Sequence, residues 1–433
     1  PSSFTGGVRD MGQRYHDGMA CVRKKGKPSF FITMTCNPCW EEIMRELNHG
    51  EQPQDRPDLV ARVFKLKLKQ LCDELFNDGI FGRVVAHLHV IEFQKRGLPH
   101  AHILVILHED DRLKTVDDID ACVSAELPVA PDPADYGGDA SSQTYLDAYA
   151  RFEELTELIV SHLTHHGCGP AFPGASCMVD GQCKAGYDKK TFLAATTYQE
   201  SQIYPMYRRR APEDGGATYT TRTGRVIDNR SVVPHSPYLV KKYKCHLNVE
   251  VCFSVASVKY LYKYVYKGPD RAMVAVRAEG DVDEIALFQD MRSFGSAEGC
   301  WRTFDFEMSG RAPPIVRLPA HLEGRQNCRY EEGSEAATVA RGAPATELTA
   351  WFDYIKTHPE ARQPTAARAM TDASPAVEAW SAKYPDFPER YRFDKQEKKW
   401  LPRKKMDAFG YIGRVYHVHH GAGGIYYLRM LLH

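Results

Sequence analysis

No apolar run in the 433 residues approaches the roughly 20 that a membrane-spanning helix needs. The formal net charge is +0, so bulk electrostatics advertise no nucleic-acid partner. No internal repeat or low-complexity tract is present, which argues against solenoids and disordered arrays. No Gly-Lys-Ser/Thr phosphate loop occurs, so these residues cannot drive work with ATP. The chain opens Pro1-Ser2-Ser3-Phe4, with neither an initiator Met nor a signal peptide, and is expected to be an excised piece of something longer. Its 12 cysteines are scattered, and a chain this long needs no disulfide staples. Most are therefore read as reduced, in an intracellular compartment.

What is present is ordinary in bulk and uneven in detail. Hydrophobic content of 43% with 26% charged residues fits a globular protein of two or three domains. Acidic residues crowd the segment from His108 to Glu157, and the part near 125–143 reads as a surface loop or partly disordered insertion. Arg208-Arg209-Arg210, Lys241-Lys242 and the pair Lys263 and Lys267 are local basic clusters, for which a solvated face is the ordinary reading.

The most informative stretch is Gly97-Leu98-Pro99-His100-Ala101-His102-Ile103-Leu104. In a strand, residues two apart share a face, so both imidazoles can reach one metal ion. Val90-Ile91-Glu92-Phe93-Gln94 also reads as a strand, and Lys95-Arg96-Gly97 supplies a turn. Folding the two back antiparallel sets Glu92 or Gln94 beside the histidines. The result is a two-His, one-oxygen site with open positions, suited to a catalytic divalent cation. His87-Leu88-His89 is a second triplet, but its parity is opposite to Glu92 and Gln94, so it faces away from them.

A second group is His165, Cys168, Cys177 and Cys183, four soft ligands separated by Gly and Pro turns. They suit a closed tetrahedral zinc site, although the spacing is no standard finger, and unrelated buried thiols remain the alternative.

Elsewhere, residues 9–25 read as an amphipathic helix, Phe30 to Thr35 as a strand, and Pro57 to Phe76 as a helix ended by Asn77-Asp78-Gly79. A helix is expected from about 144 to 163, and Thr218-Tyr219-Thr220 opens a hairpin. After about Glu331 the composition shifts to Ala, Thr, Pro and charge, with Trp351, Trp380 and Trp400 spaced along it. Two domains follow, 1–330 and a C-terminal segment 331–433 ending in strands Gly410–His417 and Gly424–Leu431.

In Lys259-Tyr260-Leu261-Tyr262-Lys263-Tyr264-Val265-Tyr266-Lys267-Gly268-Pro269 the tyrosines alternate, which locally favours a strand. The alternative is a helix stopped at Gly268-Pro269, with Tyr260 and Tyr264 on one face about 6 Å apart along the axis. Tyrosine is a legitimate covalent nucleophile, and Lys263, Lys267 and a metal at His100 and His102 could activate it.

The chain resembles the Rep domain of Helitron rolling-circle transposases, members of the HUH nuclease superfamily. The resemblance rests on Phe31-Ile32-Thr33-Met34-Thr35-Cys36-Asn37-Pro38, on Ile91 to His102, on Asp228-Asn229-Arg230, on His246-Leu247-Asn248-Val249-Glu250, on Lys259 to Tyr264 and on Leu348-Thr349-Ala350-Trp351-Phe352. It implies an α+β fold: an antiparallel sheet carrying the two histidines, flanked by helices, with a Cys/His zinc-binding insertion and a C-terminal extension. It also implies that the tyrosine segment is helical, with Tyr260 and Tyr264 as nucleophiles, and that Glu92 precedes Gln94 as third metal ligand. The cofactors would be Mg²⁺ or Mn²⁺, with structural Zn²⁺. The activity implied is cleavage and transfer of single-stranded DNA at transposon ends through a 5′-phosphotyrosine, with Arg209, Arg210, Lys263 and Lys267 contacting the strand. Nuclear action and a helicase domain in the full-length protein come with the family. A non-catalytic zinc-dependent DNA-binding module and a metal hydrolase using activated water are the rival readings.

Overall fold

The computed structural model describes residues 8–93, 97–165, 168–169, 172–199, 202–222, 224–253, 295–326, 333, 344–358 and 383–433. They fall into two units, Pro1–Gly12 with Lys27–Gly310, and Gln13–Gly26 with Arg311–His433. In chain order the larger unit holds strands β1 (Phe30–Thr35), β2 (Val84–Phe93) and β3 (Pro99–Leu107). Two short hairpins follow, β4 (Met178–Val179) with β5 (Gln182–Cys183) and β6 (Thr218–Thr220) with β7 (Val226–Asp228), and then β8 (Leu247–Val251) and β9 (Ser309–Ala312). Helix α1 (Val8–Lys25) belongs from Gln13 onward to the smaller unit, and among the described residues the helices of the larger unit are α2 (Glu41–Met44), α3 (Pro57–Phe76), α4 (Val116–Cys122), α5 (Gln143–His162), α6 (Pro237–Tyr243) and α7 (Ser296–Thr303).

Five strands form one sheet in the order β8-β1-β3-β2-β9, and the β8–β1, β1–β3 and β3–β2 pairings are antiparallel. Strict alternation in β1 decides its two faces. Phe30, Ile32 and Met34 are buried in the main core, with Ile103 and Val105 of β3 and Val249 and Val251 of β8. Against them pack Phe64, Leu68, Leu71 and Leu75 of α3 and the fully buried Trp301 of α7. Spacings of three and four residues put that α3 stripe on one side of the helix. Each such side chain contributes on the order of 1.5–3 kcal/mol when fully buried. Pro57 sits at the helix start, where a missing N–H costs nothing.

His87 and His89 lie on this same core face. His87 stacks on Phe76 with ring centroids 3.6 Å apart, and burial pushes the two imidazoles down to about 3 and about 4. They are neutral packing residues, as their parity requires. The acidic stretch is not surface throughout: Ala125, Glu126 and Leu127 at its start are buried.

In the smaller unit β10 (Ile315–Leu318) runs parallel to β13 (Ile412–Val415), and β11 (Tyr391–Asp394) pairs antiparallel with β12 (Lys399–Pro402). Among the described residues after Arg311 it also holds helices α8 (Glu347–Thr357) and α9 (Gly424–Leu431). Leu318, Leu348, Tyr384, Phe387, Tyr391, Trp400 and Leu432 form its core. The expected strand Gly424–Leu431 is instead helical. Ile425, Leu428 and Leu432 recur at helical spacing, and Leu428 and Leu432 reach the core. Among the described residues no helix is long and apolar enough to cross a membrane.

Gly310 on β9 meets His89 so closely that an added Cβ would lie 2.3 Å from the imidazole Cε1. Gly310→Ala is therefore expected to cost about 1–3 kcal/mol in urea unfolding. Combined with His89→Ala it should add almost nothing to the cost of His89→Ala alone. An equal additional loss in the double variant would show that His89 is not the obstacle.

Candidate functional site

The face of the sheet opposite α3 is polar, and strand register arranges it in rows. Thr35 of β1 lies opposite His100 of β3, which lies opposite Glu92 of β2. One row on, Thr33 lies opposite His102, which lies opposite Val90. Directly opposed side chains in antiparallel strands stand about 4.5–5.5 Å apart, so Glu92, His100 and His102 share one small patch. The expected β2–β3 hairpin delivers Glu92 as its sequence parity required. Gln94 lies outside the described residues.

Each imidazole is held by one hydroxyl. Thr35 Oγ1 is 2.6 Å from His100 Nδ1, and Thr33 Oγ1 is 3.1 Å from His102 Nδ1. With Nδ1–H donated to threonine, the Nε2 lone pairs remain for a ligand, the usual support for a metal-binding histidine. His102 Nε2 is 3.2 Å from Glu92 Oε2. Two ligands on an octahedral ion at about 2.1 Å are themselves about 3 Å apart, so this pair already has coordination spacing. His100 Nε2 is buried and makes no hydrogen bond among the described residues. A buried ring nitrogen without a partner is costly, and a cation would satisfy it. Burial, with His102 and His246 nearby, pushes His100 down to about 4, so it is a neutral donor at neutral pH. Two imidazoles and one carboxylate thus share the patch, although the three do not converge as tightly as a preformed metal site.

Sequence reasoning gave no role to the threonines or to His246. The alternation Thr33-Met34-Thr35 carried the threonine signal. His246 emerges only from the β1–β8 register. Leu247 opposes Met34, and the backbone N–H of Thr35 donates to the His246 carbonyl, which puts His246 at the end of the Thr35–His100–Glu92 row. Its Nδ1 is also buried without a hydrogen-bond partner among the described residues. The nucleophile candidates Tyr260 and Tyr264, with Tyr262, Tyr266, Lys263 and Lys267, lie outside the described residues.

The second site is the Cys/His group. His165 follows α5 and is fixed by its backbone N–H, which donates to the Ser231 carbonyl at 2.7 Å. Cys177 precedes β4 and Cys183 ends β5, and the positive φ angles of Asp180 and Gly181 (50° and 75°) fold that hairpin tightly. Cys168 completes a set whose four ligand atoms all lie within 4.8 Å of one another. Among the described residues no other group of three or more His, Cys, Asp or Glu side chains converges in this way. Tetrahedral zinc at ordinary bond lengths holds neighbouring ligand atoms about 3.5–3.8 Å apart. His165 Nε2 and Cys183 Sγ, at 3.3 Å, are near that spacing. Without a cation, burial and the adjacent Cys183 and Cys177 push the Cys168 thiol up to about 12. The group can hold a metal ion such as zinc, which would displace those protons. His166 lies outside the described residues.

Of the expected DNA contacts in the arginine run, Arg209 needs correction. Arg209 is 3% exposed, and its guanidinium donates to the carbonyls of Ala125, Asn229 and Val232. Arg210 donates from Nη2 to buried Glu126 at 2.7 Å, and Arg208 joins it at 3.2 Å. These two neutralise a buried carboxylate, and Arg209 ties three loops together. None of this leaves Arg209 a charge to offer a strand.

Residues 1–105 match the family described as the Helitron helicase-like domain at the N-terminus. The match takes in β1, β2 and the part of β3 that carries His100 and His102, and it stops short of the Cys/His group. No curated protein matches the chain. Over that stretch the chain is similar to Helitron proteins, a likeness that suggests a transposase-related role in DNA processing.

Protein purified without chelator is expected to carry about one zinc per chain by elemental analysis. Cys177→Ser or chelation should lower the melting temperature, because the energy of metal binding is available only to the folded hairpin. A metal-free protein that melts at the same temperature with and without added zinc would contradict the assignment.

Proposed function

We propose that this chain is an HUH-type Rep nuclease that cleaves single-stranded DNA at transposon ends and passes the strand on through a 5′-phosphotyrosine. The observation that carries the reading is the buried, unpartnered His100 Nε2 beside His102 and Glu92, within the Helitron-matching segment. His100, His102 and Glu92 would hold Mg²⁺ or Mn²⁺, with Mn²⁺ better suited to two imidazoles. When bound, such an ion supplies positive charge at the scissile phosphate.

The chain's own residues do the rest. Thr33 and Thr35 fix the imidazole rings. The hydroxyl oxygen of Tyr260 or Tyr264 attacks phosphorus and the phenolic proton is lost. The bond from phosphorus to the 3′-oxygen breaks, and that oxygen takes up a proton as it leaves. The 5′ end stays esterified to tyrosine with its bond energy conserved, so a free 3′-OH can reverse the step on another strand. Acting at chromosomal transposon ends would place the protein in the nucleus. The converged Cys/His group also supports a second reading, a non-catalytic zinc-dependent DNA-binding module.

A denaturing gel of the chain with a single-stranded oligonucleotide and Mn²⁺ separates the readings. A covalent adduct is expected. Cleavage without adduct would indicate attack by activated water, and binding alone would favour the zinc module. His100→Ala and His102→Ala should abolish cleavage while most DNA binding persists. Thr35→Val, which removes only the partner of His100 Nδ1, should reduce cleavage about 10–100-fold. At least one of Tyr260→Phe and Tyr264→Phe should abolish the adduct, with Tyr262→Phe and Tyr266→Phe active. Wild-type rates in both histidine variants would remove the proposed site.

A further inference from the structure

The smaller unit contains a cavity of about 190 Å³ between α1, β13, α9 and the loop at Pro385. Its charge is unbalanced. Arg23, Lys24, Arg414 and Arg429 line it, together with His16, His417 and His433, against the carboxylates of Asp386 and Glu389 alone. Both carboxylates are already engaged by Lys24, each at 2.8 Å. Arg23 and Arg429 have no carboxylate partner among the described residues.

The wall behind them deepens this surplus. Asp17 is fully buried and meets three guanidinium groups, Arg311 at 3.1 Å, Arg317 at 2.8 Å and Arg414 at 2.7 Å. Arg311 and Arg317 stay partly exposed to water, whereas Arg414 is itself buried, where desolvated charge is costly. Arg414 is the most buried of the three. It is 7% exposed; its Nε donates to Asp17 and its Nη2 to Gln13, while Nη1 is buried with no hydrogen-bond partner among the described residues. That arginine lines the cavity.

The rest of the wall is fixed. Gly413 lets β13 approach so closely that an added Cβ would lie 2.1 Å from the Pro385 carbonyl oxygen. His16 and His417 stack with ring centroids 5.0 Å apart and planes 12° from parallel. Arg429 is oriented by donating Nε to the Tyr416 carbonyl at 3.0 Å. Drug-sized ligands occupy roughly 300–1,000 Å³, so this space suits a small anion rather than a whole nucleotide. Guanidinium groups with donors held in a plane match the oxygens of phosphate.

We propose that this cavity binds a phosphate monoester, with Arg414 Nη1 at its base and Arg23 and Arg429 at its rim. The phosphate could be free in solution or could terminate a DNA strand. The site is separate from the histidine patch on the sheet and does not depend on the nuclease reading.

The test is calorimetric titration of the full chain with inorganic phosphate, and with a thymidine dinucleotide bearing either a 5′-phosphate or a 5′-hydroxyl. Phosphate or the phosphorylated dinucleotide should bind, and the 5′-hydroxyl form should bind at least about tenfold more weakly than its phosphorylated counterpart. Arg23→Gln combined with Arg429→Gln should weaken binding about tenfold or more at an unchanged melting temperature, because both residues act at the rim. Equal affinity for phosphate and phosphorylated dinucleotide assigns the free anion, and preference for the dinucleotide assigns a strand end. The proposal is overturned if neither probe binds, if the two dinucleotides bind alike, or if the rim variant binds like the wild type.

Discussion

The antiparallel pairing of β1 with β3 is the constraint on which the larger unit depends. Because side chains alternate, one register sends Phe30, Ile32 and Met34 into the core and turns Thr33 and Thr35 toward the histidines. A slip of one residue would exchange these sets, burying hydroxyls against α3 and leaving His100 and His102 without their partners. The core and the site are therefore specified by the same hydrogen bonds. Strong burial on one face pins the geometry on the other, which is how a rigid donor set arises from residues that contribute little to stability themselves.

Buried charge follows a common rule in both units. Glu126 collects Arg208 and Arg210 and so anchors the run that sequence reading offered to DNA. Asp17 collects three arginines from β9, β10 and β13. In the first case two cations meet one acid in a polar setting open to water on one side. In the second a guanidinium nitrogen is left over at a cavity. The difference lies in Arg414, which pairs with its acid while itself buried, whereas Arg208 and Arg210 pair with theirs while partly exposed.

Much of the site was legible because it is local. The His100-Ala101-His102 triplet, the turn before it and the parity of Glu92 all sit within one hairpin, where period and spacing are sufficient. Parity also assigned His87 and His89 to the far face. The Cys/His group was legible as chemistry, while its convergence depended on the Asp180-Gly181 turn and on the Ser231 carbonyl that holds His165. What failed was long-range. Arg209 looked like a surface cation, since only the folding of Ala125, Asn229 and Val232 around it shows that it is buried. His246 could not be seen as a member of the histidine row until β8 was placed beside β1. Gly424–Leu431 was misread because a short apolar run fits both periods, and contacts at Leu428 and Leu432 settle it.

The two candidate sites of the larger unit are also linked electrostatically. His165 stacks on Tyr187 with centroids 4.5 Å apart, and burial pushes that tyrosine up to about 12. Three residues on, Lys190 carries a charge felt by Glu250, which is raised by burial and lies on the same polar face as His102. Asn248, opposite Thr33, donates to Glu250 and to the Pro234 carbonyl. Tyr187 and Lys190 thus lie close enough to Glu250 for their charges to interact, so the Cys/His group and the β8 edge of the sheet share one electrostatic environment.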